Sequence, residues 1–415
     1  MKFLKKIDIY YIVTLFFLFI TAAANFISSS DIGWFLVIFF ILIVAMVKKA
    51  LKVRDLKIIA LFSLAYLVFV GVRDIFINNL DIVFLTSDVL FLFKYIFLTF
   101  IYCVTLKEKT ISYLVKVTVH LCILSLFFYV FQLAGFGEYL YKYFNALNLP
   151  NSSTNPDYAN ILLFSYTRGS HEFRNCGFFW EPGSFACFLI VVLLLNLFLN
   201  RFIYDRNNII LIITLITTIS TTGYLALLII FFLSYRYRVP KINIWVLVLI
   251  PLSIVIIINT PNLGDKITKT FEGDMKDSRP HQMKIAEHYY QHSKGPAPLN
   301  RFSSMIVIYN KFGNDLILGE SNKYNVILNE TDNVDISNGI FDFMAKFGLV
   351  GFIFLMYKYA RFCRVYVFRW ELVIYCILVF LIICTGEPIV FLPFMLLFIF
   401  LYLEQLSPAK SQAIE

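Results

Sequence analysis

Two stretches of this 415-residue chain concentrate the side chains that could do chemistry. The first reads YTRGSHEFRNCGFFWEPGSFACFLIVV (166–192). Arg168, His171, Glu172 and Arg174 crowd together there, and Glu181 stands immediately before Pro182 and Gly183. Proline suits the first turn of a helix, so Glu181 is expected at a helix N-terminus, where the partial positive charge stabilises a carboxylate. The plain reading is a capping glutamate among interfacial aromatics. The functional reading is a polar site at a membrane surface, where arginines meet an anionic head group. Guanidinium forks pair bidentately with phosphate, which makes arginine a better sign of phosphate than lysine.

The second stretch reads DSRPHQMKIAEHYYQHSKGPAPLNRFSSMIVIYNKFGNDLILGE (277–320). Asp277 or Ser278 can cap a helix, Pro280 can open it, and Gly295-Pro296 can end it. On such a helix His281, Lys284, His288 and His292 share one face. Three histidines on one stripe suit a metal, but the Lys284 ammonium would repel a divalent cation, so no metal is expected. An anion- or sugar-binding face, to which Arg279 would add, and a merely solvated basic helix are the competing readings. Arg301 then opens an amphipathic helix carrying Met305, Ile308, Tyr309 and Phe312, of the kind that lies in a membrane interface. Acidic residues from Asp265 to Asp335 offset the bases, so no nucleic-acid partner is expected.

The elements that must position these residues are overwhelmingly apolar. The chain is 60% hydrophobic, 18% aromatic and only 15% charged, where a soluble domain carries about 25% charge. That balance excludes a soluble enzyme, a coiled coil, collagen and a disordered chain. Apolar runs fall near 9–27, 32–47, 58–77, 82–104, 114–134, 183–199, 208–235, 242–258, 338–358, 370–385 and 389–403. Runs approaching ~20 residues match a ~30 Å hydrocarbon core. The expected fold is an all-α integral membrane protein with about 12 transmembrane helices (11–13) and two large external loops. Helices occupy 1–134, the first loop 135–182, further helices 183–258, the second loop 259–337, and the last helices with a tail 338–415.

Basic residues orient the bundle, because cytoplasmic loops collect Lys and Arg. Lys2, Lys5 and Lys6, then Lys48, Lys49, Lys52, Arg54 and Lys57, then Arg361, Arg364 and Arg369 mark one side. The turns 28–31, 78–81 and 386–388 carry no base and mark the other. The run 208–235 has basic flanks at both ends, so it is expected to turn back at TTISTTG (217–223) as a broken hairpin. Both termini are then cytoplasmic, and the first span reads as a retained signal anchor. The net charge of +9 reports this topology. Seven cysteines without paired spacing suggest neither disulfides nor structural zinc. Within the spans, Lys94 is expected to pair with Asp88 or with a carboxylate on another helix. Asp342 and Lys346 form an expected i,i+4 pair, and Arg73-Asp74 is expected to snorkel.

Four stretches occur in a telling order: RNCGFFWEPGSFACFL (174–189), STTGYLALL (220–228), Arg301 to NDLILGE (314–320), and SNGIFDFMAKFGLVGF (337–352). Together with two large loops they resemble the Wzy-type polysaccharide polymerases, the bacterial O-antigen and capsule repeat-unit polymerases. The resemblance covers roughly the C-terminal two-thirds; the first 130 residues match only as generic spans. Arg174, Glu181, Arg301 and Gly319 match best. It implies a multi-pass protein of the bacterial inner (cytoplasmic) membrane with two catalytic periplasmic loops and no cofactor. The implied partners are undecaprenyl-pyrophosphate-linked oligosaccharides, the lipid bilayer and a chain-length regulator.

In that reaction an acceptor hydroxyl attacks an anomeric carbon while pyrophosphate departs. Arg174, Arg301 and Arg279 would stabilise the leaving charge, with Arg168, Lys284 and His288 adding substrate contacts. Glu181 or His281 would accept the hydroxyl proton. The related O-antigen ligases carry a histidine where this chain has Ser337-Asn338, which favours a polymerase. A lipid-linked oligosaccharide flippase or other transporter is the third reading, weakened by the small number of charges inside the spans and by the lack of an internal repeat.

Overall fold

The computed structural model describes residues 8–23, 25–77, 81–150, 157–169, 171–239, 297–299, 301–328 and 334–405. Most of them are helical, and most of the apolar runs read from the sequence fold as helices. Four helical segments are long and apolar enough to cross a membrane: Val53–Phe76, Ile82–Ala146, Pro182–Leu199 and Gly339–Val367. Shorter apolar helices are Ile9–Thr21, Asp31–Val47, Arg206–Thr217 and Trp370–Gly386. The outward faces of the early helices carry large apolar side chains, among them Phe35, Leu36, Phe39, Leu61, Leu64 and Phe76. Such faces suit lipid, not water, which makes this a membrane protein. The expected span at 242–258 lies outside the described residues.

At the centre stands the helix Pro182–Leu199, buried at every position from Pro182 to Phe198. Its sequence is apolar all round, which fits a helix surrounded on every side. Thr110–Phe131, Arg206–Thr217, Thr221–Arg238 and Trp370–Gly386 pack against it. The expected break in the 208–235 run is present. Arg206–Thr217 ends, and Thr221–Arg238 starts afresh behind Ser220, whose hydroxyl accepts from the Gly223 amide at 3.3 Å.

Parts of both loops fold on the bundle. In the first, Gly137–Ala146 and an antiparallel pair, Tyr158–Asn160 with Ser165–Thr167, bury Phe144, Ala159, Phe164 and Tyr166 together. In the second, Arg301–Phe312 and Lys323–Ile327 gather Ile308, Phe312, Leu316 and Tyr324 around Ala345. The second unit is locked to the helix Gly339–Val367 where that helix breaks at Gly348, φ +71. The carbonyls released there accept from the amides of Glu320 (2.7 Å, at Ala345) and Ser321 (3.2 Å, at Lys346). A Cβ on Gly348 would lie 2.3 Å from the Ile317 carbonyl oxygen, and one on Gly319 2.5 Å from the Gly348 nitrogen. The two glycines are therefore required by a close backbone approach.

The intramembrane charges differ in part from expectation. Arg73 does not snorkel: it is fully buried and bonds Asp74, Asp88 and the Lys346 carbonyl (3.1 Å), while the Ser321 hydroxyl donates to Asp88 at 2.6 Å. A buried guanidinium needs such partners because hydrocarbon supplies none. With Asp88 committed to Arg73, Lys94 takes the alternative partner, Asp31 on a neighbouring helix, at 2.5 Å. Lys346 lies over the ring of Phe91 at 4.8 Å, and Asp342 accepts a hydrogen bond from the Tyr324 hydroxyl.

Candidate functional site

The polar stretch before the central helix is held against the break in its neighbour. Arg174 Nε donates to the Thr218 carbonyl at 3.0 Å, and the Asn175 amide donates to that of Thr217 at 3.0 Å. The Asn175 side chain accepts from the Ser125 hydroxyl (2.7 Å) and the Gly177 amide (2.9 Å). Phe178 and Phe179 then plunge into the core. Arg174 and Glu181 are thus fixed relative to each other by a short, pinned segment.

Glu181 precedes the helix in an extended conformation, and its side chain makes no capping bond to the helix amides. Its Oε1 accepts instead from Trp180 Nε1 and Ser184 Oγ, each at 3.1 Å. A second carboxyl meets it. Glu387 follows directly on the helix Trp370–Gly386 and reaches over Gly183, where an added Cβ would lie 1.9 Å from Glu387 Oε1. Only glycine leaves room for that approach. Glu387 thus comes to lie beside Glu181, which stands two residues ahead of Gly183.

Arg301 closes the group from the second loop. Its Nε donates to the Gly386 carbonyl at 2.7 Å and its Nη2 to Glu387 Oε1 at 3.2 Å. The backbone of Arg301 is itself tied down, because Asn338 Nδ2 donates to its carbonyl at 3.1 Å. Asn338 Oδ1 meanwhile caps the helix Gly339–Val367 by accepting from Ile340 and Phe341 amides. Gly339 packs against the Glu387 carbonyl, 2.2 Å from where a Cβ would stand. Four helix N-termini (Pro182, Thr221, Arg301 and Gly339) therefore gather at one end of the bundle, each with its positive end there. Burial and the neighbouring Glu181 charge push the Glu387 carboxyl well above the usual carboxylate range, against the pull of Arg301 and Arg174.

Of the residues singled out from sequence, Arg174, Glu181 and Arg301 converge here. Arg168 does not; it pairs with Glu138 at 2.8 Å and lies over the Tyr141 ring, within the first loop. Arg279, His281, Lys284 and His288 lie outside the described residues. Sequence reasoning missed Glu387, taking 386–388 only as a turn without bases. The available signal was the dipeptide Glu-Pro, which occurs twice in the chain, at 181–182 and 387–388. Among the described residues no group of three or more His, Cys, Asp or Glu could hold a metal. No family model, curated protein or solved structure matches the chain.

Chemically, the cluster offers two guanidinium groups and several helix N-termini for an anion, beside two carboxyls able to exchange a proton. One such cluster can therefore serve both anion binding and proton transfer.

Proposed function

We propose that this chain is an O-antigen (polysaccharide repeat-unit) polymerase, a membrane glycosyltransferase joining undecaprenyl-pyrophosphate-linked oligosaccharides at the periplasmic face. In this reading about twelve helices span the bacterial inner membrane with both termini cytoplasmic. One observation carries the proposal: Arg174, Glu181, Arg301 and Glu387, drawn from three distant parts of the chain, belong to one cluster at the helix ends. The acceptor hydroxyl oxygen bonds to the donor's anomeric carbon as the bond from that carbon to the pyrophosphate oxygen breaks. Arg174 and Arg301 stabilise the departing negative charge, and a carboxylate takes the hydroxyl proton. The ligase alternative would want a histidine near 338. Here Asn338 serves as helix cap and anchor for Arg301.

The test is a gel of surface glycolipids from a deletion strain complemented with wild type or with Arg301→Ala. Collapse of the ladder to core plus one repeat unit, restored by wild type and not by Arg301→Ala, is the expected result. Loss of every repeat unit from the core would point to ligation or export, and an unchanged ladder would overturn the proposal.

A further inference from the structure

We infer that the acceptor hydroxyl's proton is received by a carboxyl pair, Glu181 together with Glu387, which makes Glu387 a second catalytic carboxylate. The inference rests on the polymerase reading. Its geometric basis is the approach of the Glu387 carboxyl over Gly183, two residues from Glu181, where no Cβ intervenes. Each carboxyl is oriented by its own donors. Trp180 and Ser184 hold Glu181 Oε1, and Arg301 holds Glu387 Oε1. Glu387 is only 9% exposed, so its partners and not bulk water set its chemistry.

The groups facing Glu387 are few in kind. From the central helix and its approach come Glu181, Arg174 and the Cys187 thiol; from the second loop comes Arg301; Cys384 lies on its own helix. Thr222 packs beside Gly386. Two guanidinium charges therefore balance two carboxylates when the pair is fully ionised. As the glycosidic bond forms, the hydroxyl proton passes to the pair, and the electron pair of the broken bond leaves with pyrophosphate. The proton is released to water before the next turnover. Two carboxylates side by side hold one proton more tightly than either would alone, so the pair is a stronger base at neutral pH than an isolated glutamate.

The sign of the pH dependence follows. The ionised pair is the active form, so the rate rises with pH as the shared proton leaves, at a midpoint above the ordinary carboxylate range. In Glu387→Gln the carboxyl that burial and Glu181 hold above the ordinary range is gone, and that midpoint moves down.

The experiment uses full-length protein in lipid nanodiscs, with undecaprenyl-pyrophosphate-linked repeat units purified from the source strain as substrate. Infrared difference spectra against pH, taken without substrate, should show a protonated-carboxyl band that titrates above the ordinary range. Both Glu181→Gln and Glu387→Gln should remove it. Turnover in Glu387→Gln should fall on the order of 100-fold with a downshifted acid limb, and Glu387→Asp should recover part of the rate. A wild type without the band, or a Glu387→Gln protein with an unshifted pH profile, would overturn the inference. A wild type that shows the band but does not polymerise the repeat units would instead overturn the functional reading, and with it the pair's role.

Discussion

Arg301 uses two edges of one guanidinium, Nε on the Gly386 carbonyl and Nη2 on Glu387, so its charge and its shape are both engaged. A lysine carries the charge but has no rigid fork. Arg301→Lys is therefore expected to lower polymerisation roughly tenfold or more at unchanged protein level, measured as glycan formed per amount of membrane protein. Gly183 tests the carboxyl pair from the opposite side. In Gly183→Ala the new methyl group would stand 1.9 Å from Glu387 Oε1, so Glu387 must swing away from Glu181. The protein should retain its thermal stability to within a few degrees while its ladder collapses, because alanine suits a helix. A full-length ladder from this variant would show that the carboxyl contact is dispensable.

Helices bring these residues together, and their termini and breaks were written more plainly than their partners. The apolar runs and the Ser/Thr/Gly break at 217–223 were readable because hydropathy and turn chemistry are local properties. Pro182 announced the start of the central helix for the same reason. The contact of Glu387 with Gly183 was not readable, since it depends on which helix ends become neighbours. Arg73 shows the same limit. Its position near a span end suggested snorkelling, yet helix packing turned it inward to Asp88. Removing that carboxylate leaves buried Arg73 with Asp74 alone and takes away the acceptor of the Ser321 hydroxyl, and Asp88→Ala should cost about 1.5–3 kcal/mol, read as a loss of folded, monodisperse protein in mild detergent. The Gly348 break makes a second element-scale prediction. Gly348→Ala must place a side chain at φ +71 and against the Ile317 carbonyl, a backbone strain of about 1–3 kcal/mol before the clash is counted. Its melting temperature should fall, and the second loop's folded unit should become the earliest site of proteolysis. Unchanged melting would mean that the unit docks by other contacts.

At the scale of the molecule, the catalytic reading requires the Glu181–Glu387 end of the bundle to face the periplasm, because the glycan donor is a lipid carrier presented there. Charge asymmetry supports that orientation: the turn at 28–31 has no base, while Lys48, Lys49 and Lys52 follow the next helix. The helix Asp31–Val47 separates the two turns, so they must lie on opposite sides if it spans the membrane. The chain is well suited to a labelling test, since all seven native cysteines are buried. Ser29→Cys in intact cells should react with a membrane-impermeant maleimide, whereas Lys49→Cys, at an exposed position, should react only after permeabilisation. Reaction of both from outside would mean that Asp31–Val47 does not cross, and the span count would fall. The inverse pattern would turn the whole bundle over. The arginines and the carboxyl pair would then face the cytoplasm, and a donor waiting on the outer leaflet could not reach them, so the polymerase reading would fail on geometry alone.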